Sequence, residues 1–357
     1  MSNSSSLRCT VVVVNYNGAA FVLDCLRSLL EQQVSDAEIE VVVVDNGSVD
    51  GSDTLIEQQL PLVRLIRSTI NLGFAGGVNV AIANSDGDLV VLLNNDAIAG
   101  TGFVAAIIAP FRKAENERLA AVTGRIVLTG RFVPAPDDAA AYVSATGRRW
   151  IRVPAELDSG IELLNSTGSQ LSRSGNARDR SWLDAADSGD APAEVFGFCG
   201  GAVALRRAAL TDAGVFDGAL FMYYEDVDLS WRLRRRGWRI QYAPDAVVRH
   251  QHAASSGTTS RLFLVHNIRN RVLVTARNGP RDMVVRAVVR TFGNLTKSLL
   301  RSLLPRSGRA ARSQVAAGAI ALVQLVRMLP AVRADGRRQD RRAPMSREFI
   351  TPWLLPD

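Results

Sequence analysis

Lysine is almost missing from this chain: of the 42 basic residues among its 357, only Lys113 and Lys297 are lysines. The skew toward arginine reads as the codon bias of a GC-rich genome and carries no function. Cysteine is scarce as well. Cys9, Cys25 and Cys199 stand alone, without the spacing of a zinc ligand set or the even count of a disulfide scaffold. They are expected to be reduced thiols in the cytoplasm. The first residues, Met1–Ser6, are polar and lack the architecture of a signal peptide. Long apolar runs are also absent. The longest, Val315–Val326, is interrupted by Gln324 and is roughly half the ~20 residues that a spanning helix needs. No transmembrane segment is expected.

What is present belongs to a globular protein. An apolar share of 47% against 22% charged supports a large buried core and excludes a disordered chain. The formal charge of +7 hides a division. Residues 261–357 hold 19 basic and 5 acidic side chains, a balance of +14, which leaves −7 for residues 1–260. A basic C-terminal segment can meet nucleic acid, an anionic membrane or an acidic substrate. No nucleic-acid-binding motif accompanies the charge, so nucleic acid is not expected as a partner. Leu299, Leu300, Leu303 and Leu304, interleaved with Arg301 and Arg306, read as a basic amphipathic helix at the inner face of the plasma membrane. The plainer alternative is a helical tail with solvated arginines.

Strand and helix patterns alternate through the first third. Thr10–Asn15, Glu38–Val44, Leu62–Arg67 and Asp88–Leu93 read as strands. Helices follow them at Phe21–Gln32, Ser52–Gln59, Ala75–Ala83 and Phe103–Lys113. The alternation predicts an α/β fold with a mostly parallel central sheet flanked by helices. Residues 131–193, rich in Gly, Ser, Asp and Pro, read as an irregular insertion that touches the acceptor. Two further strands are expected near Trp238–Ala243 and Ala246–His250. The division expected is a catalytic domain over 1–260, a basic helical extension over 261–336 and a flexible tail over 337–357.

Chemistry concentrates where strands end. Leu89–Leu93 is wholly apolar, as in a strand buried on both faces, and breaks into Asn94, Asn95 and Asp96. Ligands of open α/β sheets lie beyond such carboxyl ends, and a carboxylate there suits a hard divalent cation. Val41–Val44 ends likewise in Asp45, and Val13–Val14 runs into Asn15, Tyr16, Asn17 and Gly18. Asn71–Asn79 is a glycine-rich helix entry, including Gly76, that would let backbone N–H groups approach phosphate. Further on, Phe221–Tyr224 lead into Glu225, Asp226 and Asp228. Asp228 is accounted for by the helix dipole; Glu225 and Asp226 are candidates for a general base. His250 and His252 follow a strand and offer metal ligands.

Taken together, these motifs resemble glycosyltransferase family 2, a family with the GT-A fold. The resemblance is carried by Val-Asn-Tyr-Asn-Gly at 14–18, Val-Asp-Asn-Gly-Ser at 44–48, Asn-Leu-Gly-Phe-Ala-Gly-Gly at 71–77 and Leu-Asn-Asn-Asp at 93–96. Gly-Phe-Cys-Gly-Gly-Ala at 197–202, Tyr-Glu-Asp-Val-Asp-Leu at 224–229 and His250 complete it. Within the family the chain is most similar to bacterial rhamnosyltransferases of cell-wall and surface polysaccharides. The resemblance implies an inverting transfer of one sugar from a nucleotide-diphosphate donor to a glycan or polyprenyl-diphosphate-linked acceptor. It implies that Asn15, Asn17, Asp45, Asn71, Gly76 and Asn95 hold the donor, with Asp45 on the base. Asp96 and His250 would hold Mg²⁺ or Mn²⁺, His250 being favoured over His252. Asp226 would be the base with Glu225 in reserve, and Gly200, Gly201, Asp179 and Arg180 would touch the acceptor. The family's Asp-x-Asp is Asn94–Asn95–Asp96 here, so a single carboxylate survives. The Gln-x-x-Arg-Trp of processive synthases is missing, so one sugar per encounter is expected.

Two other classes are weighed. One is a protein that binds a nucleotide sugar without turnover, against which the intact Glu225, Asp226 and Asp96 argue. The other is a sugar nucleotidyltransferase, whose glycine-rich triphosphate loop carries basic residues. Cys9–Gly18 has none.

Overall fold

The computed structural model describes residues 6–357 except 137–138, 140, 155–156, 158, 189–190, 252–259 and 304–307. His252, Leu304 and Arg306 lie outside the described residues. Four strands, β1 (Leu7–Asn15), β2 (Ala37–Asp45), β3 (Arg64–Arg67) and β4 (Leu89–Leu93), alternate with α1 (Val22–Leu30), α2 (Ser52–Gln59) and α3 (Gly73–Ala83). They pair in parallel in the order β3-β2-β1-β4. All five residues of β4 are buried, as are Val11–Val13 of β1. That is why both stretches are apolar without alternation. The chain leaves β1 toward β2 on one side and later returns as β4 on the other. This reversal of direction opens a crevice at the carboxyl ends.

The second half of the sheet departs from the parallel expectation. β5 (Ala97–Ala99), α4 (Phe103–Ile108) and β6 (Leu119–Leu128) follow β4. Next come β7 (Arg131–Pro134), β8 (Tyr142–Val143), β9 (Arg149–Val153), β10 (Leu164–Ser166), β11 (Ser169–Ser172), β12 (Ala177–Asp179) and β13 (Ala202–Arg206). β13 inserts antiparallel between β4 and β6, so the sheet is mixed. Residues 131–193 are not irregular either. β7, β9 and β8 pair as an antiparallel sheet over a small core of Leu128, Phe132, Leu163 and Leu183. Short strands with at most one buried apolar residue each leave too weak a periodicity to read.

The remaining elements are α5 (Arg207–Ala213), α6 (Glu225–Arg235), β14 (Arg239–His250), α7 (Arg261–Asn278), α8 (Arg281–Ser302), α9 (Gly308–Arg342) and β15 (Leu354–Leu355). β14 is one strand in place of the two expected, with a register shift between Tyr242 and Val247 where Pro244 interrupts the ladder. It pairs with β6 and with β5, and so carries His250 next to Ala97. The last 21 residues are not a loose tail. Helix α9 runs through Arg342, Ile350 is fully buried, and β15 pairs with β11. Ile350, Trp353 and Leu354 share an apolar cluster with Tyr224, Val227 and Trp231 of the α6 region and Val272–Val274 of α7. Helix α9 also bears on the membrane expectation. Over Ala311–Arg342 it is long and apolar enough to cross a bilayer by length and composition. The apolar character continues past Gln324 through Val332, which the uninterrupted-run criterion misses.

Candidate active site

A cleft of about 400 Å³ opens at the carboxyl ends of β1, β2 and β4. On the metal side, β4 ends and the chain turns into β5, so Asp96 points inward and is 6% exposed. β14 ends beside it, and His250 Nε2 stands 3.0 Å from Asp96 Oδ1 and 3.3 Å from Asn94 Nδ2. His250 Nδ1 lies 2.7 Å from the side-chain oxygen of Asn165. With Nδ1 set on the Asn165 oxygen, Nε2 is the ring nitrogen turned toward Asp96, the arrangement usual for an imidazole ligand. An imidazole nitrogen and a carboxylate oxygen are donor types that suit a divalent metal, and at 3.0 Å they stand close enough to occupy neighbouring positions on one ion. Among the described residues, no third His, Cys, Asp or Glu joins the pair.

Opposite lies the start of α6. Asp226 Oδ2 accepts from the Gly200 N–H at 3.1 Å, and Oδ1 from the Val227 N–H at 2.7 Å. Burial raises its carboxyl above the ordinary range despite these donors. Glu225 is raised well above by burial and then by the Asp226 charge. Its Oε2 is buried without a hydrogen-bond partner among the described residues. Behind them Asp179 is pushed up to about 6, first by burial and then by Asp226, with Ser166 and Cys199 as side-chain partners. Carboxyls held reluctant to ionise are suited to exchanging protons near neutrality.

Asp228, one turn into the same helix, is built differently. It is fully buried, paired with Arg232 at 2.9 Å and Arg277 at 3.0 Å, and accepts from Asn278 Nδ2 at 2.9 Å. Burial acts to raise its carboxyl, but Arg277 and then Arg232 outweigh it and hold it below the ordinary range. It is an anchor between α6 and α7.

The loop before α6 forms one wall. Phe221, Tyr223 and Tyr224 all adopt left-handed backbone, with φ of 69°, 65° and 69°, each at a cost of order 1–3 kcal/mol for a side-chain-bearing residue. Asn270 on α7 holds this loop by donating from Nδ2 toward the carbonyls of Leu220, Met222 and Tyr223. Gly73 is required on the facing side. Its φ is +71°, and a Cβ there would stand 2.3 Å from the Phe221 carbonyl oxygen.

The expected residues do not all converge. Asn71, Asn95, Asp96, Gly200, Gly201, Glu225, Asp226 and His250 line the cleft. Asn15, Asn17 and Asp45 do not: they tie the ends of β1 and β2 together. Asn15 Nδ2 donates to Asp45 Oδ1 at 3.0 Å, Asp45 Oδ2 accepts from the Ser48 N–H, and Asn17 Oδ1 accepts from the Val49 N–H. Gly76 is also away from it, packed on Leu72 in the first turns of α3, while Gly73 is at the lining. Arg180 is not on an acceptor lid. It is 9% exposed, donates to Thr167 and to the Pro192 carbonyl, and lies over the Tyr242 ring. Tyr16, Asn46, Phe74, Phe221, Leu262 and Phe263 line the cleft without having been expected. Asn46 directly follows Asp45 and was within reach of the motif argument. Leu262 and Phe263 come from a distant helix and were not.

Comparison with known proteins agrees with this architecture. The model of "Glycosyl transferase family 2" matches residues 10–135, and that of "Glycosyltransferase like family 2" matches residues 187–272. The N-acetylglucosaminyl-diphospho-decaprenol L-rhamnosyltransferase of Mycobacterium tuberculosis is 28% identical over 263 residues, covering 69% of this chain and 77% of that protein. The uncharacterized glycosyltransferase YfnE of Bacillus subtilis is 27% identical over 267 residues, covering 70% and 66%. Among solved structures, GalNAc-T7 with UDP, GalNAc and Mn²⁺ superposes with a TM-score of 0.59 at 15% identity. The match takes in 99% of this chain but spans only 59% of that one. Mannosyltransferase PcManGT of Pyrobaculum calidifontis, with GDP-Man and Mn²⁺, gives 0.50 at 17% identity over 90% and 88%. At these identities the structural likeness concerns the fold.

Proposed function

Because the chain belongs to glycosyltransferase family 2, with the GT-A fold, we propose that it transfers a single sugar, with inversion, from a nucleotide-diphosphate donor. The donor we favour is dTDP-rhamnose. The acceptor we favour is a glycan or polyprenyl-diphosphate-linked glycan of the cell envelope, met at the cytoplasmic face of the plasma membrane. The rhamnosyltransferase relative supports both choices through its printed name. One observation carries the catalytic reading: the Asp96–His250 pair and the Glu225–Asp226 pair, contributed by the turn after β4, the end of β14 and the start of α6, line one cleft.

Asp226 accepts the proton of the acceptor hydroxyl as its oxygen bonds to the anomeric carbon. The bond from that carbon to the nucleoside diphosphate breaks, and its electron pair leaves on the phosphate oxygen. Asp96 and His250 would hold Mg²⁺ or Mn²⁺, which supplies charge stabilisation for the departing diphosphate. Asn46, Asn71 and Asn95 orient the donor with uncharged amides. The aromatic wall of Phe221, Tyr223 and Phe263 excludes water and gives a sugar ring a face to lie on. Gly200 and Gly201 keep the floor low beneath Asp226, and Asp179 stands behind it.

The test is donor hydrolysis by the purified chain with Mg²⁺ or Mn²⁺ across a panel of nucleotide sugars. Metal-dependent release of a nucleoside diphosphate from one donor is expected. Asp226→Asn should slow it by about 10²–10⁴-fold while leaving nucleoside diphosphate binding by calorimetry intact. Neither turnover nor binding across the panel would end the enzyme reading.

A further inference from the structure

Helix α8 divides into three faces. Its inner face, with Met283, Ala287 and Thr291 buried, packs on α7 and α9. Turned away from it are Val285, Val289, Phe292, Leu299, Leu300 and Leu303, each at least half exposed. At about 100° per residue all six fall within an arc of about 100°, one stripe of the helix. Arg286, Arg290, Lys297 and Arg301 form a third row, about 120° around from the stripe's centre by the same count. A helix whose outer surface merely met water would carry its polar residues where this one carries valine, leucine and phenylalanine.

We propose that this stripe is a docking surface for an anionic lipid bilayer, the apolar residues entering the acyl boundary and the cationic row meeting the headgroups. The idea rests on the membrane-face location proposed above and specifies which surface makes the contact. Charge selects the occupant. Residues 261–357 carry a net +14, so a second copy of the chain would oppose like charge to like, whereas an anionic bilayer complements it.

The same surface lies level with the mouth of the cleft. Helices α7 and α8 run antiparallel about the turn at Gly279–Pro280. Arg271 Nη2 donates to Thr291 Oγ1 at 2.6 Å across them. Further along, Val265 clusters with Ala317, and Leu295 packs where Gly318 of α9 has no side chain. Leu262 precedes Pro280 by 18 residues and Leu299 follows it by 19, which at ~1.5 Å per residue is ~27 and ~28 Å. Leu299–Leu303 therefore lie at the same height along the helix pair as the end of α7 that brings Leu262 and Phe263 into the cleft lining. A bilayer on this stripe would present a lipid-linked acceptor at the rim, so that its sugar reaches Asp226 without the lipid leaving the surface.

The experiment is flotation of the full chain with vesicles of phosphatidylcholine alone or mixed with phosphatidylglycerol. Binding to the mixed vesicles, weakened by salt, is expected. Val289→Ser with Phe292→Ser should weaken it about tenfold or more, and Lys297→Glu with Arg301→Glu at least about fivefold. Both variants should hydrolyse donor in lipid-free buffer as the parent does, because the changed residues are exposed and outside the cleft. Equal binding by parent and variants, or equal binding to neutral vesicles, would overturn the proposal. So would a parental dimer that the Val289/Phe292 variant dissolves, or retention on vesicles after alkaline carbonate, which would mark α9 as a span. Loss of donor hydrolysis by the parent strikes the transferase reading instead and leaves the flotation result standing.

Discussion

Asp228 sits two residues from the proposed base, inside the same acidic motif, yet its surroundings assign it to stability. Asp228→Asn keeps the shape and removes the charge. Arg232 and Arg277, 5% and 7% exposed, would lose a carboxylate at 2.9 and 3.0 Å. Breaking a buried pair from one side costs about 3–5 kcal/mol. Both guanidiniums keep other partners, Arg232 the carbonyls of Ala213, Gly214 and Val215, and Arg277 the carboxylates of Asp217 and Asp335. The expected loss is therefore near the lower end, about 3 kcal/mol. It should appear as a lower urea midpoint with an unchanged slope, followed by far-ultraviolet circular dichroism. The pH dependence has a definite sign. A carboxyl depressed in the folded state contributes stability that is present above its unfolded pKa of about 4 and lost as pH falls through the folded value. The gap between parent and variant should thus close on acidification. Donor hydrolysis per folded molecule should stay within a few-fold of the parent. A variant that unfolds like the parent but no longer turns over would refute the reasoning and move Asp228 into the catalytic machinery.

Three further outcomes follow from the same geometry. Ile350→Ala should cost about 2–4 kcal/mol, read from the urea midpoint, because Ile350 is fully enclosed by the α6–α7 cluster; a neutral result would restore the picture of a loose tail. Gly73→Ala should destabilise by at least about 1–3 kcal/mol and raise KM for the donor, since the added Cβ collides with the Phe221 carbonyl at the cleft wall. Donor hydrolysis should fall on the acid side at a pH above the ordinary carboxylate value of about 4, because burial raises Asp226 and raises Glu225 further. The raised pKa works on stability in the opposite direction to Asp228: that contribution is full below about 4 and is lost as pH climbs through the folded values. A rate profile that falls only at or below the ordinary carboxylate value of about 4 would exclude both residues as the base.

The amino-acid sequence by itself determined the parallel half of the sheet, since β1, β2 and β4 are runs of Val and Leu too apolar to be anything but doubly buried strands. It also determined the chemistry at their ends. Asp96, Asn95, Glu225 and Asp226 line the cleft and were legible because an abrupt change from apolar to acidic or amide residues is a local signal, and Asn71 because it opens a glycine-rich helix entry. What only the tertiary structure decided depends on contacts between distant segments. The motif reading cannot separate Asp226 from Asp228; two arginines and Asn278, contributed by α6 and α7, do so. It cannot separate Asp45, enclosed between β1 and β2, from its neighbour Asn46, which faces the cleft. The pairing of His250 with Asp96 exists because β14 lies against β5, 154 residues apart in sequence. The buried tail and the outward apolar stripe of α8 have the same origin. Composition sets how much apolar surface a helix carries, and only its packing partners set which of that surface is left to meet something else.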